Sequence, residues 1–178
     1  MNSFVYLFAF TVALASLQAQ TRATGTAAEP TRRLAFSQYC FWTGEMKLGQ
    51  IDGVVRTEAG FFQGHEVTLV DYDPTRISLE SLAGRAKEAG VADRIHLPAG
   101  SQFAGATIAG VAIGGPLDQS YRSAPASDQK KQLEGTPYSG LDLTPEQATK
   151  INAFARANPA RAREWLTAPQ RAKLASTH

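Results

Sequence analysis

The amino-acid sequence predicts an α+β domain, and three observations lead to this fold class. Apolar patterns between residues 34 and 89 follow the order strand, helix, strand, strand, helix. Helical segments with capping residues follow in the last third of the chain. Hydrophobic residues make up 43% of the 178 residues and the net charge is +2, which suits one compact domain rather than a disordered tail or a nucleic-acid-binding surface.

The first 33 residues are predicted to lie outside this domain. Residues 4–17 are apolar, too few to span a bilayer, and a small-residue cleavage site follows at residues 17–19. We interpret residues 1–20 as a signal peptide and residues 21–33 as a flexible linker. The mature protein is therefore expected to be exported, to a periplasm or the extracellular space, and to have no membrane association. An uncleaved membrane anchor is the alternative.

The domain, residues 34–178, is expected to begin with a strand at residues 34–39 that ends at Cys40. A short helix over residues 42–48 should follow. Alternating apolar residues then predict strands over residues 54–62 and 66–72, because period-two patterns bury one face of a strand.

Later segments complete the predicted domain. Residues 77–89 have helical spacing and end at Gly90, and residues 106–113 are typical of one buried strand. Thr144 is followed by Pro and then by a Gln at the third helical position, which predicts a capped helix over residues 145–157. Further helical segments are expected over residues 159–166 and in one turn from residue 167, as a C-terminal helical extension.

Cys40 is the only cysteine of the chain, so its thiol cannot form an internal disulfide. Chemistry at this residue is therefore nucleophilic, regulatory or absent. Cys40 stands where a strand passes into a helix, and amides at a helix N-terminus stabilise a thiolate. Glu66 begins a strand near several aromatic residues, whose apolar surroundings favour a protonated carboxyl that can donate a proton.

Five segments occur in an order and spacing that resemble A-type peptide methionine sulfoxide reductases. They are Cys40-Phe41-Trp42, residues 53–61, residues 64–67, residues 72–82 and Tyr121-Arg122-Ser123. The resemblance extends over residues 34–124. It implies a two-layer α/β sandwich with a ferredoxin-like core, to which the C-terminal helices are added.

The resemblance also implies an activity, the thiol-dependent reduction of methionine S-sulfoxide, free or in peptides and proteins, to methionine. Cys40 would be the nucleophile, Glu66 the proton donor, and Tyr121 a hydroxyl that holds the sulfoxide oxygen. The product on the enzyme would be a sulfenic acid of Cys40.

Three aromatic residues around the cysteine are expected to bind substrate. Phe41 and Trp42 offer an apolar pocket for the S-methyl group, with aromatic–sulfur contact. Tyr39 stands where the family has glycine, beside the nucleophile, and would narrow access or supply a hydroxyl.

No second cysteine exists to recycle Cys40, so an external thiol, a thioredoxin-like protein or a small dithiol, is the predicted reductant partner. The other partners are oxidised methionines in proteins or peptides, and the enzyme is expected to be a monomer that needs no cofactor. The three histidines, His65, His96 and His178, lack the spacing of a metal site. We interpret Lys130-Lys131 as part of a solvated helix face rather than a nucleic-acid patch.

Two other functions remain open at the sequence level. The chain lacks the segment between Phe62 and Glu66 that supplies a further oxygen-binding tyrosine in the family. A non-catalytic module that binds methionine sulfoxide, with a decayed reductase site, is therefore one alternative. A thiol-based peroxide sensor that oxidises at Cys40 is the other.

Overall fold

The computed structural model describes residues 31–176 except 102 and 104. The predicted signal peptide and most of the predicted linker lie outside this range. Within it the strands are β1 Arg32–Ser37, β2 Val54–Phe62, β3 His65–Tyr72, β4 Arg94–His96, β5 Thr107–Ile108, β6 Val111–Ile113 and β7 Arg122–Ser123. The helices are α1 Phe41–Gly49, α2 Leu79–Glu88, α3 Pro145–Phe154, α4 Pro159–Glu164 and α5 Ala168–Ala175. The described residues therefore form an α+β fold.

One seven-stranded sheet organises the described residues, in the order β5-β6-β4-β1-β3-β2-β7. Strand β1 is antiparallel to both β3 and β4, and β2 is antiparallel to β3 through a tight turn at Gln63 and Gly64. Both turn residues have positive φ, 49° and 79°, as the shortest hairpin turns require. The only parallel pair among the described strands joins β4 to β6.

The two faces of the sheet are covered differently. Leu34 and Phe36 of β1 and Val70 of β3 pack in one core with Leu48 of α1 and Leu82 of α2. Side chains alternate along a strand, so the residues between them point to the opposite face. We call the first side the helix face.

The opposite side, which we call the loop face, is covered by the segment before β7. Phe62, Val67 and Leu69 form its buried cluster, and Leu117 and Tyr121 pack against them. The loop face is therefore closed by irregular chain rather than by a helix.

The C-terminal helices form a smaller core of their own, in which Ile151 of α3 packs with Leu166 and Leu174. This unit is attached to the sheet through α3, whose Thr149 hydroxyl accepts a hydrogen bond from the Thr57 backbone N–H at 3.0 Å. Thr144 caps α3 in a capping box with Gln147, as the sequence predicts.

Several element predictions need correction. Strand β1 begins at Arg32, inside the predicted linker. Residues 106–113 form the hairpin β5–β6 rather than one strand, because Ala109 and Gly110 both take positive φ and reverse the chain. Strands β4 and β7 have three and two residues, too few for a periodic pattern, and were not predicted. No helix among the described residues is long and apolar enough to cross a membrane.

Candidate functional site

Cys40 is the N-cap residue of α1. Its backbone is extended, with φ −142° and ψ 115°, and its carbonyl accepts the first helical hydrogen bond from Gly44 N at 3.0 Å. The half-buried Cys40 side chain makes no capping hydrogen bond. The thiol is therefore held at the helix N-terminus without being used to cap it.

The side chain of Glu66 caps the N-terminus of α1, whereas the side chain of Cys40 does not. Its Oε2 accepts a hydrogen bond from the Phe41 backbone N–H at 2.8 Å. The Gln38 backbone N–H also donates to the Glu66 carbonyl at 3.3 Å, so the chain on both sides of Cys40 is bonded to Glu66. The structure thus places Cys40 and the Glu66 carboxyl at the same end of α1.

Aromatic rings lie beside this pair. Phe41 is buried, with 5% of its surface exposed, and meets Phe61 and Trp42 edge to face at centroid distances of 5.5 and 5.9 Å. Trp42 is 36% exposed and Tyr39 97% exposed. Phe41 is therefore part of the core, and Trp42 and Tyr39 are the predicted substrate-binding residues whose rings reach solvent.

Helix α1 lies very close to the sheet at Gly44. A Cβ atom there would lie 2.2 Å from Thr68 Oγ1 and 2.7 Å from the Gln38 side-chain amide. Any larger residue would push the helix away from β3. The glycine therefore fixes the distance between α1, which carries Cys40, and the strand that carries Glu66.

The residue after Gly44 in α1, Glu45, forms a buried ion pair. Glu45 is fully buried, and its carboxylate pairs with Lys130 Nζ and accepts from the Lys130 backbone N–H at 2.7 Å. Lys130 Nζ also donates to the Thr57 carbonyl at 2.6 Å. The interpretation of Lys130 as a solvated helix residue is therefore wrong. It lies in a turn with φ 51° and reaches into the core, 85 residues from Glu45, a separation that local sequence patterns do not show.

The C-terminal end of α1 is closed by another buried cation. Lys150 of α3 donates to the carbonyls of Gly49 and Ile51, both at 2.9 Å, and lies 5.7 Å from the Trp165 ring centroid. Burial lowers the pKa of Lys150 to about 8. The two ends of α1 therefore differ in burial. The C-terminal end is bonded to the buried Lys150, and the N-terminal end carries the half-buried Cys40.

The structure does not bring Tyr121 to Cys40 and Glu66. The Tyr121 ring lies over Gly60, where a Cβ would be 2.6 Å from the hydroxyl oxygen, and the hydroxyl donates to Glu58 Oε1 at 2.9 Å. Gly60 and Phe61 are consecutive in β2, so they face opposite sides of the sheet. Phe61 contacts Phe41 on the helix face, and Tyr121 therefore lies on the loop face. Burial, followed by the bond to Glu58, raises the pKa of Tyr121 well above its usual range.

The loop face holds a second polar cluster that the sequence analysis did not identify. His96 Nε2 lies 2.6 Å from the Ser37 hydroxyl, and His96 Nδ1 lies 2.8 Å from the Gly115 carbonyl. With Nδ1 protonated, His96 donates to Gly115 and accepts from Ser37. Burial lowers the pKa of His96, so the neutral ring that this bonding needs is favoured. The Ser37 and His96 side chains are both buried, and each is a hydrogen-bond partner of the other.

Cys40 belongs to no metal-binding group of the described residues and lines none of the five cavities described next. Among residues 31–176 without 102 and 104, no group of three or more His, Cys, Asp or Glu side chains is arranged to hold a metal ion. Five cavities of about 190 to 660 Å³ lie elsewhere, and the largest of the five is lined by residues such as Arg32, Tyr72 and Phe103. None of these five cavities is lined by Cys40 or Glu66.

In comparisons with known proteins, no family model matches the chain and no curated protein matches it.

Proposed function

We propose that this protein reduces methionine S-sulfoxide, free or in peptides and proteins, with Cys40 as nucleophile and Glu66 as proton donor. The observation that carries the proposal is the hydrogen bond from Phe41 N to Glu66 Oε2. It holds a carboxyl group on the amide of the residue that follows the half-buried Cys40 at the N-terminus of α1. Sulfoxide reduction needs these two groups within reach of one sulfur–oxygen bond.

The reaction balances with the groups present and one external reductant. Cys40 sulfur bonds to the sulfoxide sulfur while Glu66 gives a proton to the oxygen. The hydroxyl group then passes from the substrate sulfur to the Cys40 sulfur, and the bond between the two sulfur atoms breaks. Methionine leaves, Cys40 becomes a sulfenic acid, and the thiol's own proton returns to Glu66.

Regeneration uses thiols from outside the chain, because the sequence has one cysteine. A first thiol condenses with the sulfenic acid, releases water and forms a mixed disulfide with Cys40. A second thiol then frees Cys40 by exchange. The reductant is a thioredoxin-like protein or a small dithiol, and no other cofactor enters the reaction.

The surroundings of Cys40 support a thioether-like substrate. Tyr39 and Trp42, the sequence neighbours of Cys40 and Phe41, present aromatic surface to solvent, and Phe41 contacts both Trp42 and the half-buried Phe61. A methionine side chain gains apolar burial and sulfur–aromatic contact against such rings.

The strand order supports a ferredoxin-like core, as in A-type peptide methionine sulfoxide reductases. The elements β1, α1, β2, β3, α2 and β4 follow one another, and their strands lie in the order β4-β1-β3-β2 with antiparallel neighbours. This is the arrangement of a split βαβ fold. We extend the proposal to an exported monomer whose residues 1–20 are a signal peptide.

The first experiment measures methionine formed from methionine S-sulfoxide by the purified chain with dithiothreitol. Turnover by the native chain that is lost in Cys40→Ser is the expected result, and circular dichroism of the variant should stay unchanged. Turnover that persists in Cys40→Ser would reject Cys40 as the nucleophile.

The placement of Tyr121 favours a second candidate, a module that binds methionine sulfoxide without reducing it. Its hydroxyl is bonded to Glu58 on the loop face, so the group predicted to hold the sulfoxide oxygen is away from Cys40. Such a module would bind a sulfoxide peptide in calorimetric titration and yield neither methionine nor Cys40 sulfenic acid. Methionine formation with dithiothreitol excludes it.

A further inference from the structure

We propose that Arg122 binds a carboxylate that adjoins the sulfoxide in the substrate, and so selects among methionine sulfoxides. This inference rests on the proposed site at Cys40 and Glu66. The carboxylate has two possible sources, the α-carboxylate of methionine sulfoxide itself and the side chain of a neighbouring acidic residue. Both present the same chemistry to a guanidinium group.

The register of β7 places Arg122 on the helix face. Arg122 pairs with Phe61 across β2 and β7, and cross-strand partners point to the same side of a sheet. Phe61 contacts Phe41 on the helix face. Ala124, two residues after Arg122, is buried with Phe41 and Ala59, which confirms the alternation.

Arg122 is also close to Glu66. Phe61 pairs with Glu66 of β3 on one side and with Arg122 of β7 on the other, so the three residues form a row across the sheet. Neighbouring strands lie about 4.8 Å apart, which separates the Glu66 and Arg122 backbones by about 10 Å. A methionine sulfoxide whose sulfur lies at Cys40 and Glu66 would extend its carboxylate over Phe61, within reach of a long side chain.

Arg122 is available for such a ligand. Its side chain is exposed and makes no hydrogen bond or ion pair with any residue that the structure describes. Arg33 and Arg56, by contrast, are paired with Asp71 and Glu58. A free guanidinium group binds a carboxylate through two parallel hydrogen bonds.

The test uses binding to chains that carry Cys40→Ser, so it does not depend on turnover. The probes are N-acetyl-methionine S-sulfoxide, its methylamide, and the methylamide of the dipeptide with glutamate after the sulfoxide. The second probe has no carboxylate, and the first and third separate its two sources. Dissociation constants come from tryptophan fluorescence or calorimetry.

Adding Arg122→Gln should weaken binding of at least one carboxylate-bearing probe by about three- to tenfold and leave the methylamide unchanged. Arg122→Lys should recover part of the loss, because the charge returns without the bidentate geometry. Salt should weaken the same complexes. The control is Arg85→Gln, which removes an exposed arginine of α2 and should change none of the three constants.

Equal weakening for all three probes, or no weakening for any, would overturn the inference. With Cys40 intact, Arg122→Gln should raise KM for the affected probe and leave kcat within about twofold, since the lost interaction is equally strong in the ground state and the transition state. Absence of turnover in the native chain would reject the proposed reductase and leave the binding result standing, so the two failures are distinguishable.

Discussion

The helix face and the loop face of the sheet both carry acidic and ring side chains, but they use them differently. On the loop face Tyr121 bonds Glu58 and His96 bonds Ser37, so each polar group already has a partner. On the helix face the Phe41 amide is the one hydrogen-bond partner of the Glu66 carboxyl among the described residues, and Cys40 makes no capping bond. Groups with unused bonding capacity next to solvent are the ones that can meet a substrate.

Exposure separates the Ser37–His96 pair of the loop face from the residues around Cys40, although Tyr121 and Glu58 are half-buried. Ser37 and His96 are buried, whereas Cys40 and Glu66 are half-buried and Tyr39 and Trp42 reach solvent. Buried polar groups whose hydrogen bonds are satisfied stabilise the fold and help to specify one packing of the core. We therefore expect substitutions on the helix face near Cys40 to change activity, and substitutions on the loop face to change stability.

The largest difference should appear between two carboxyl groups that are changed in the same way. Glu66→Gln removes the proposed proton donor and should lower kcat by about 10²- to 10⁴-fold, the usual contribution of a general acid. Glu58→Gln, on the loop face, keeps an oxygen for the Tyr121 hydroxyl and should lower kcat less than about threefold.

Sulfoxide reduction with dithiothreitol at saturating substrate measures both variants. Equal losses in kcat would remove the functional distinction between the faces. Full activity of Glu66→Gln would assign the proton donor elsewhere.

The buried pair under α1 should give the next largest effect, on stability. Lys130→Met leaves the Glu45 carboxylate buried without its cation and should lower the free energy of unfolding by about 3 to 5 kcal/mol. The matched control is Lys131→Met, which breaks an exposed pair with Glu134 and should cost at most about 1 kcal/mol.

Urea denaturation of the two variants provides these values. A smaller loss for Lys130→Met than for Lys131→Met would mean that the buried pair does not hold α1 in place.

A smaller effect is expected at Tyr121. Tyr121→Phe removes the hydroxyl that donates to Glu58 and should lower the free energy of unfolding by about 1 kcal/mol. The kcat of sulfoxide reduction should change by less than about threefold if the hydroxyl stays on the loop face. A loss of a hundredfold or more would show that Tyr121 reaches the substrate, as the family resemblance implies, and that the two faces share one site.

The smallest predicted effect is a pH dependence of stability from His96. Burial lowers the pKa of His96 in the folded chain below its unfolded value of 6.5, so the unfolded chain binds more protons as pH falls through that value. Stability should therefore decrease between pH 7 and pH 5, and the decrease should be smaller in His96→Gln.

Denaturation midpoints at the two pH values test this, with His65→Gln, an exposed residue of the β2–β3 hairpin, as the control. An unchanged decrease in His96→Gln would mean that His96 does not titrate on unfolding.

Local patterns in the sequence predicted much of the fold and part of the site. The capping box at Thr144, the turn between β2 and β3, and the α1 start after Cys40 are each set by a few adjacent residues. The ordered segments around Cys40 and Glu66 likewise predicted one site, and the Glu66 carboxyl is bonded to the backbone of Phe41, the residue after Cys40. Whether the two side chains act together stays a prediction.

Long-range pairing explains what the sequence did not reveal. The face on which Tyr121 and Arg122 lie depends on the register of β7, and a shift of one residue would exchange the two. A two-residue strand contains no period from which that register follows. The Glu45–Lys130 pair joins residues 85 positions apart, so only the folded chain shows it.

The central claim is that Cys40 takes the oxygen from methionine S-sulfoxide, and one turnover without reductant tests it most directly. The reduced chain is mixed with the sulfoxide, methionine is measured, and sulfenic acid is trapped with dimedone. We predict methionine and labelled Cys40 in equal amounts, with neither formed by Cys40→Ser. Methionine without a label on Cys40, or no methionine at all, would contradict the claim.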